Sequence, residues 1–170
     1  MAVENNYILA SETIKFDSTV KFDSNIWVLD PEKDNSDFDR TTFLTITNSQ
    51  NKKIKIRFDW CNYSTTDLGF TSLLISETNK LFFGARFFWG VIDLQNLKVD
   101  RQQHCAAFWS FTRHSETIVV TTELEALALD LIGATINSVP IDPPFDSKDF
   151  DDRIEFNSPV YGRQILKLKK

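Results

Sequence analysis

Two carboxylates, Glu123 and Glu125, stand two residues apart in the run Thr121-Thr122-Glu123-Leu124-Glu125. On an extended strand that spacing puts both on one face, the arrangement from which a paired acid and base hydrolyse a glycosidic bond. A histidine would extend the set toward other hydrolytic chemistry, and the chain has two, His104 and His114. His104 adjoins Cys105, but neighbours on a strand point to opposite faces, so adjacency argues against a thiol–imidazole pair. A solvent-facing Glu pair opposite a Lys or Arg accounts for the spacing equally well without a reaction. No HExxH, no paired CxxC and no glycine-rich phosphate loop is present, so we assign no catalytic residue, metal ligand or cofactor.

Two acidic segments carry aromatic rings. The first holds Asp30, Glu32, Asp34, Asp37 and Asp39 around Phe38; the second holds Asp142, Asp146, Asp149, Asp151 and Asp152 around Phe145 and Phe150. Alternating Asp oxygens suit calcium, yet neither segment has the central Gly and terminal Glu of the twelve-residue calcium loop. A solvated loop is one reading. Partner binding is the other, because a Phe among carboxylates gains nothing from water, whereas at an interface it fills a pocket while the acids steer a basic partner. On this reading the contact residues are Asp34, Asp37, Phe38, Asp39, Phe145, Asp146, Asp149, Phe150, Asp151 and Asp152.

Charge sets the class of partner. The net charge is −5 over 170 residues, which disfavours direct binding of nucleic acid and favours a basic protein. The basic stripe Lys52, Lys53, Lys55 and Arg57 and the tail 167–170 are too short to reverse that. The first residues, MAVENNYILASE, lack a basic region followed by a long apolar one, and no window nears the roughly 18 to 20 apolar residues of a membrane span. A cytoplasmic protein that engages no membrane is therefore expected. The two cysteines, Cys61 and Cys105, read as buried thiols of a reducing compartment.

The elements that must position these residues are strands. In Lys53-Ile54-Lys55-Ile56-Arg57-Phe58-Asp59-Trp60 the apolar residues take one face and the charged ones the other. Similar runs recur at 13–16, 25–29, 42–47, 72–76, 81–93, 106–112, 117–122, 154–157 and 164–168, separated by polar connectors at 30–39, 47–53, 76–80 and 93–103. Fifteen Phe, four Trp and three Tyr supply the core, and the run Phe82, Phe83, Phe87, Phe88, Trp89 reads as core packing rather than a stacking platform for bases. The fold expected is all-β: antiparallel sheets, partly propeller-like or sandwich-like, of about ten to twelve short strands. One β domain spans 1–170, with sub-structure at 1–76 and 77–170.

Segment 121–136 is the ambiguous one. Thr122 followed by Glu125 is a capping box, and Leu124, Leu127, Ala128 and Leu131 share a helical face. A repeat offset by 37 residues points the other way: 81–85 lies over 118–122, and Val91-Ile92-Asp93-Leu94 lies over Ala128-Leu129-Asp130-Leu131. The first copy is aromatic and β-branched, so equivalence makes 123–131 a strand.

Residues 118–145 resemble blade repeats of quinoprotein-type propellers, in which a strand ending in Asp-Leu precedes a Gly turn and an outer strand. Glu123-Leu124-Glu125, Gly133 and Asp142-Pro143-Pro144-Phe145 are also similar to the C-terminal part of small, mostly uncharacterised bacterial β-rich proteins, toxin-immunity proteins among the candidates. The resemblance covers about the last 90 residues and lacks the tryptophan docking motif of cofactor-binding propellers, so a quinone does not carry over. It implies blade-like sheets and is compatible with a non-enzymatic immunity protein that covers the active site of a cognate basic, nuclease-type toxin. The competing expectations are a hydrolase using Glu123 and Glu125 with a histidine, and an assembly module with a large apolar patch.

Overall fold

The computed structural model describes residues 7–62 and 69–168. The start of the N-terminal segment and the last two lysines of the basic tail lie outside the described residues. The described residues form fifteen strands, more than the ten to twelve expected: β1 (Ile8–Lys15), β2 (Ile26–Leu29), β3 (Arg40–Thr47), β4 (Lys53–Trp60), β5 (Thr71–Ile75), β6 (Lys80–Ala85), β7 (Phe88–Asp93), β8 (Lys98–His104), β9 (Phe108–His114), β10 (Thr117–Thr122), β11 (Glu125–Asp130), β12 (Thr135–Pro140), β13 (Asp146–Asp149), β14 (Arg153–Ser158) and β15 (Gly162–Lys167). The only helical element among the described residues is one 3-10 turn at Asn35–Asp37.

The strands form four sheets. Sheet I has the order β1-β3-β4-β2, with β2 parallel to β4 and the rest antiparallel. Sheets II (β5-β6-β7-β8) and III (β9-β10-β11-β12) are four-stranded antiparallel meanders, and sheet IV (β13-β14-β15) is a three-stranded one. Three hydrophobic clusters join consecutive sheets face to face: I to II through Phe58, Trp60, Phe83 and Phe88, II to III through Phe82, Trp89, Ile118 and Leu127, and III to IV through Val119, Ala128, Phe156 and Leu166.

That stacking explains the sequence patterns. A strand side chain alternates faces, so a strand covered on both sides must be apolar throughout, whereas one covered on a single side alternates. Every residue of β7 is buried, and so is all of β6 but Lys80. In the end sheets, β2 alternates buried and exposed, and β14 nearly so. The continuous aromatic run at 81–93 is thus the two-faced centre of sheet II. In β11 the large Leu127 and Leu129 face sheet II, while the small Ala126 and Ala128 face sheet IV. The helix-friendly composition of that stretch is a packing requirement.

Segment 125–130 is therefore a strand, and the capping-box residues close its hairpin. Thr122 Oγ1 accepts from the Glu125 amide at 3.1 Å and bonds the Glu125 carbonyl at 2.9 Å, across the two-residue loop Glu123-Leu124. The 37-residue repeat is structural: β6 and β7 in sheet II correspond to β10 and β11 in sheet III. Its Asp-Leu signature marks a turn. Asp93 Oδ1 accepts from the amides of Gln95 and Asn96 at 2.8 and 2.9 Å, and Asp130 Oδ1 from those of Ile132 and Ala134 at 3.1 and 2.8 Å. The backbone and side chain of Asn96 hold the Asp93 carboxyl well below the usual carboxylate range. After Asp130 the chain passes through Gly133 at φ +91°, where a Cβ would stand 2.9 Å from Val91.

Three strands carry little signal in their own residues: 98–104 falls in an expected polar connector, 135–140 matches the outer strand that only the propeller resemblance implies, and 146–149 falls in an expected acidic loop. These are β8, β12 and β13, none of which has two consecutive buried residues. Strands that lie at the margins of a sheet bury too little to leave an apolar signature.

Candidate protein-binding surface

The second acidic segment becomes the edge of sheet IV. Strand β13 pairs on one side with β14, from Asp146 opposite Asn157 to Asp149 opposite Ile154, and no described strand pairs with its other side. All four of its side chains are exposed. The β13–β14 turn follows, closed by the Phe150 amide bonded to the Arg153 carbonyl at 2.9 Å. Asp146, Asp149, Asp151 and Phe150 thus sit on one hairpin together with Asp152. Asp152 meets Arg153 Nη1 at 3.1 Å, an exposed pair of small energetic weight. Asp146, Asp149 and Asp151 make no ion pair among the described residues.

Phe150 lies under cations of its own sheet, with the Arg153 guanidinium 4.2 Å and the Lys148 ammonium 5.1 Å from its ring centre. Beside it, Asp149, Phe150 and Asp151 share a cleft of about 500 Å³ with His114 and Ser115 of the β9–β10 turn. His114 Nε2 is buried there without a hydrogen-bond partner. On the same sheet Glu155 receives Arg163 and Arg153, at 2.8 and 2.9 Å, and these two guanidinium groups lower its pKa. Phe145 turns inward: it stacks on Trp109 of sheet III at 5.5 Å and meets Phe156 edge-on at 5.5 Å, joining the two sheets.

The first acidic segment does something different. Asp30 is buried, its Oδ1 accepts the Glu32 amide at 3.2 Å, and its Oδ2 has no partner; burial raises its pKa. Asp34 and Asp37 bracket the 3-10 turn, the Asp37 amide bonding the Asp34 carbonyl at 2.9 Å. Asp39 accepts the Asn62 amide at 2.8 Å and lies 3.9 Å from Arg40. Phe38 is only 6% exposed and packs edge-on against Phe16 at 5.6 Å, so its ring is a wall of the fold rather than a projecting anchor. The two acidic segments belong to the first and last sheets of the stack and do not form one rim.

The hydrolytic candidates are not assembled. Glu123 lies in the hairpin loop and Glu125 opens β11, so they are not an i, i+2 pair on one strand. His104 sits 3.4 Å from Glu32 and stacks on Phe87, while His114 ends β9. Neither cysteine forms a disulfide among the described residues; the Cys61 thiol donates to the Asp37 carbonyl at 2.8 Å, and burial, with Asp30 nearby, pushes the Cys105 thiol up to about 12. Among the described residues no group of three His, Cys, Asp or Glu is placed to hold a metal ion, and no helix is long and apolar enough to cross a membrane.

The alternation rule also concealed one cluster. Arg57 and Asp59, expected on a solvated face, are buried, because segment 16–25 crosses the outer face of sheet I: the Phe22 ring lies tilted over Phe43 at 4.3 Å, and Arg57 Nη1 donates to the Val20 carbonyl at 2.9 Å. Only the unusual order of β-strand, polar run and second strand in 13–29 hints at such a cover.

No protein-family model matches the chain, and no curated protein matches it either. Among solved structures, BamB from Moraxella catarrhalis aligns over 75% of this chain and 40% of its own, at 7% identity and a TM-score of 0.42. Kluyvelomyces marxianus Hsv2 aligns over 75% of this chain and 47% of its own, at 10% identity and a TM-score of 0.37. The chain thus spans less than half the length of either. Likeness at this level carries no information about partner or activity.

Proposed function

We propose that this chain is a protein-binding module with no reaction of its own, and that it holds a basic partner against the hairpin of β13 and β14. The observation that carries the reading is a free strand edge lined by exposed carboxylates without ion pairs, at Asp146, Asp149 and Asp151. An unpaired edge offers backbone donors and acceptors to an added strand. The carboxylates select a partner of opposite charge and speed its approach. Phe150 serves as the aromatic centre of the contact; Phe145, at the other end of β13, ties the hairpin to sheet III through Trp109.

In its sharper form the module is a bacterial immunity protein, acting in the cytoplasm on a nuclease-type toxin. Such toxins are basic because they bind phosphate, and an acidic surface seated over the cleft excludes the nucleic acid. Asp34, Asp37 and Asp39, beside the first sheet, then contribute only if the partner reaches around the stack, and the buried Phe38 ring contributes nothing.

Replacing Asp146, Asp149, Asp151 and Asp152 by Lys tests the coarser claim. Association with the basic partner should slow by about 10- to 100-fold at low salt and by much less at high salt, where the charges are screened. Equal rates at every ionic strength would remove these residues from the interface. Co-expression with the product of the neighbouring gene tests the finer claim: wild type should rescue growth and the fourfold variant should not.

A further inference from the structure

We infer a second binding site on the outer face of sheet I, a cleft that takes a neutral saccharide. The cleft encloses about 430 Å³ and is lined by Phe16, Ser18, Trp27, Ser36, Phe38 and Arg57. That volume falls in the range of small-ligand sites.

Its polar floor is pre-set. Asp59, with no exposed surface, accepts from Arg57 Nε at 2.9 and 3.0 Å, from Trp27 Nε1 at 2.6 Å and from Thr41 Oγ1 at 2.6 Å. Arg57 Nη1 is spent on the Val20 carbonyl, and the Arg57 side chain is 9% exposed. Nη2 enters none of these bonds and keeps its two hydrogens, and the hydroxyls of Ser18 and Ser36 are likewise unengaged among the described residues. Trp27 is 59% exposed, yet its indole is pinned through Nε1. A rigid exposed ring beside unspent donors and hydroxyls is a surface prepared for a ligand with an apolar face and polar edges.

Charge decides between ligand classes. A free cation is disfavoured because the aromatic slot already holds one: the Arg57 guanidinium carbon lies 5.0 Å from the Trp27 ring and 6.0 Å from that of Phe16. An anion is disfavoured because Asp59 neutralises Arg57, and Asp17 and Asp37 adjoin Ser18 and Ser36 in the chain. A sugar ring carries no charge, lays its C–H face on an indole and presents hydroxyls that both donate and accept. The buried ion pair supports a functional role, since apolar residues of similar volume would serve stability equally well.

Calorimetry and amide-shift NMR on the full chain, with glucose, galactose, mannose, N-acetylglucosamine, maltose and lactose as probes, test the site. At least one should bind saturably with a Kd of about 1 mM or below. Trp27→Ala should weaken that binding at least about tenfold, equal to about 1.4 kcal/mol, and Trp27→Phe, which keeps a ring, should recover most of it. Ser36→Ala, on the rim, should weaken it less while leaving the spectrum of the fold unchanged. The inference is overturned if no probe saturates, if Trp27→Ala binds as wild type does, or if benzoate or a peptide carboxylate binds the cleft more tightly than every sugar. Because Trp27 and the β13 edge lie on different sheets, the fourfold Lys variant should bind the sugar normally. That separates this outcome from the fate of the protein-binding surface.

Discussion

Substituting Asp59 by Asn removes one charge from the cluster under sheet I and leaves the volume almost unchanged. The amide oxygen can still accept from Trp27 Nε1 or Thr41 Oγ1, but the guanidinium of Arg57 loses its counter-ion while it stays 9% exposed. Leaving one member of a buried pair uncompensated costs about 3–5 kcal/mol. For a chain of this size each kcal/mol moves Tm by about 2–4 °C, so the variant should melt roughly 6–20 °C below wild type. The double variant Arg57→Met/Asp59→Asn keeps an acceptor for Trp27 Nε1, turns its NH2 toward the Thr41 hydroxyl, which can accept, and fills the slot between Phe16 and Trp27 with an uncharged stem. It should recover most of the loss, to within about 1–2 kcal/mol of wild type. Differential scanning calorimetry and urea titration measure both. A single variant that costs less than about 1 kcal/mol, or a double variant no more stable than the single, would refute the claim that the charges depend on each other rather than on solvent.

Asp30 predicts a pH dependence of the opposite kind. Burial raises its folded pKa above the ordinary carboxylate value, so its charge destabilises the native state wherever it is ionised and the penalty fades as pH falls through the folded pKa. Asp30→Asn should therefore raise stability at pH 7, with the gain shrinking toward zero below about pH 4; urea titrations across that range read it directly. Gly84 predicts a steric effect, because a Cβ there would stand 2.4 Å from the Phe108 ring, itself 2% exposed. Gly84→Ala should cost about 1–3 kcal/mol, and Phe108→Leu in the same background should return part of it, a coupling measurable by a double-mutant cycle.

The all-β class and the repeat were legible because they rest on burial. Ile54, Ile56, Phe58 and Trp60 alternate with charged residues, and that alternation marks the face by which sheet I packs on sheet II. The repeat was legible for a second reason: Asp93 and Asp130 occupy equivalent turns whose carboxylates each accept the amide two residues on and a second one just beyond, so turn chemistry marks the period even where the strands differ in side chain. What propensity obscured was β11. Ala126 and Ala128 lie where sheet IV approaches sheet III, and close approach selects small side chains whether or not these favour helices.

The candidate sites were legible only where they are continuous in sequence. Asp146 to Asp152 fall within one hairpin, so an acidic run in the chain remains an acidic run in space. Phe38 and Phe145 show the limit of that reasoning, since a ring flanked by acids can turn inward when a second ring is there to meet it, as Phe16 and Trp109 do. The saccharide cleft lay beyond such reading altogether. It joins Phe16, Trp27, Ser36 and Arg57 from four separate elements, and its distinguishing feature is the cover that segment 16–25 lays over residues whose alternation alone would place them in water. An alternating strand fixes which side chains share a face. Whether that face meets solvent is decided by chain elsewhere, and here the same cover that desolvates Arg57 and Asp59 also gives their remaining donors a walled space to act in.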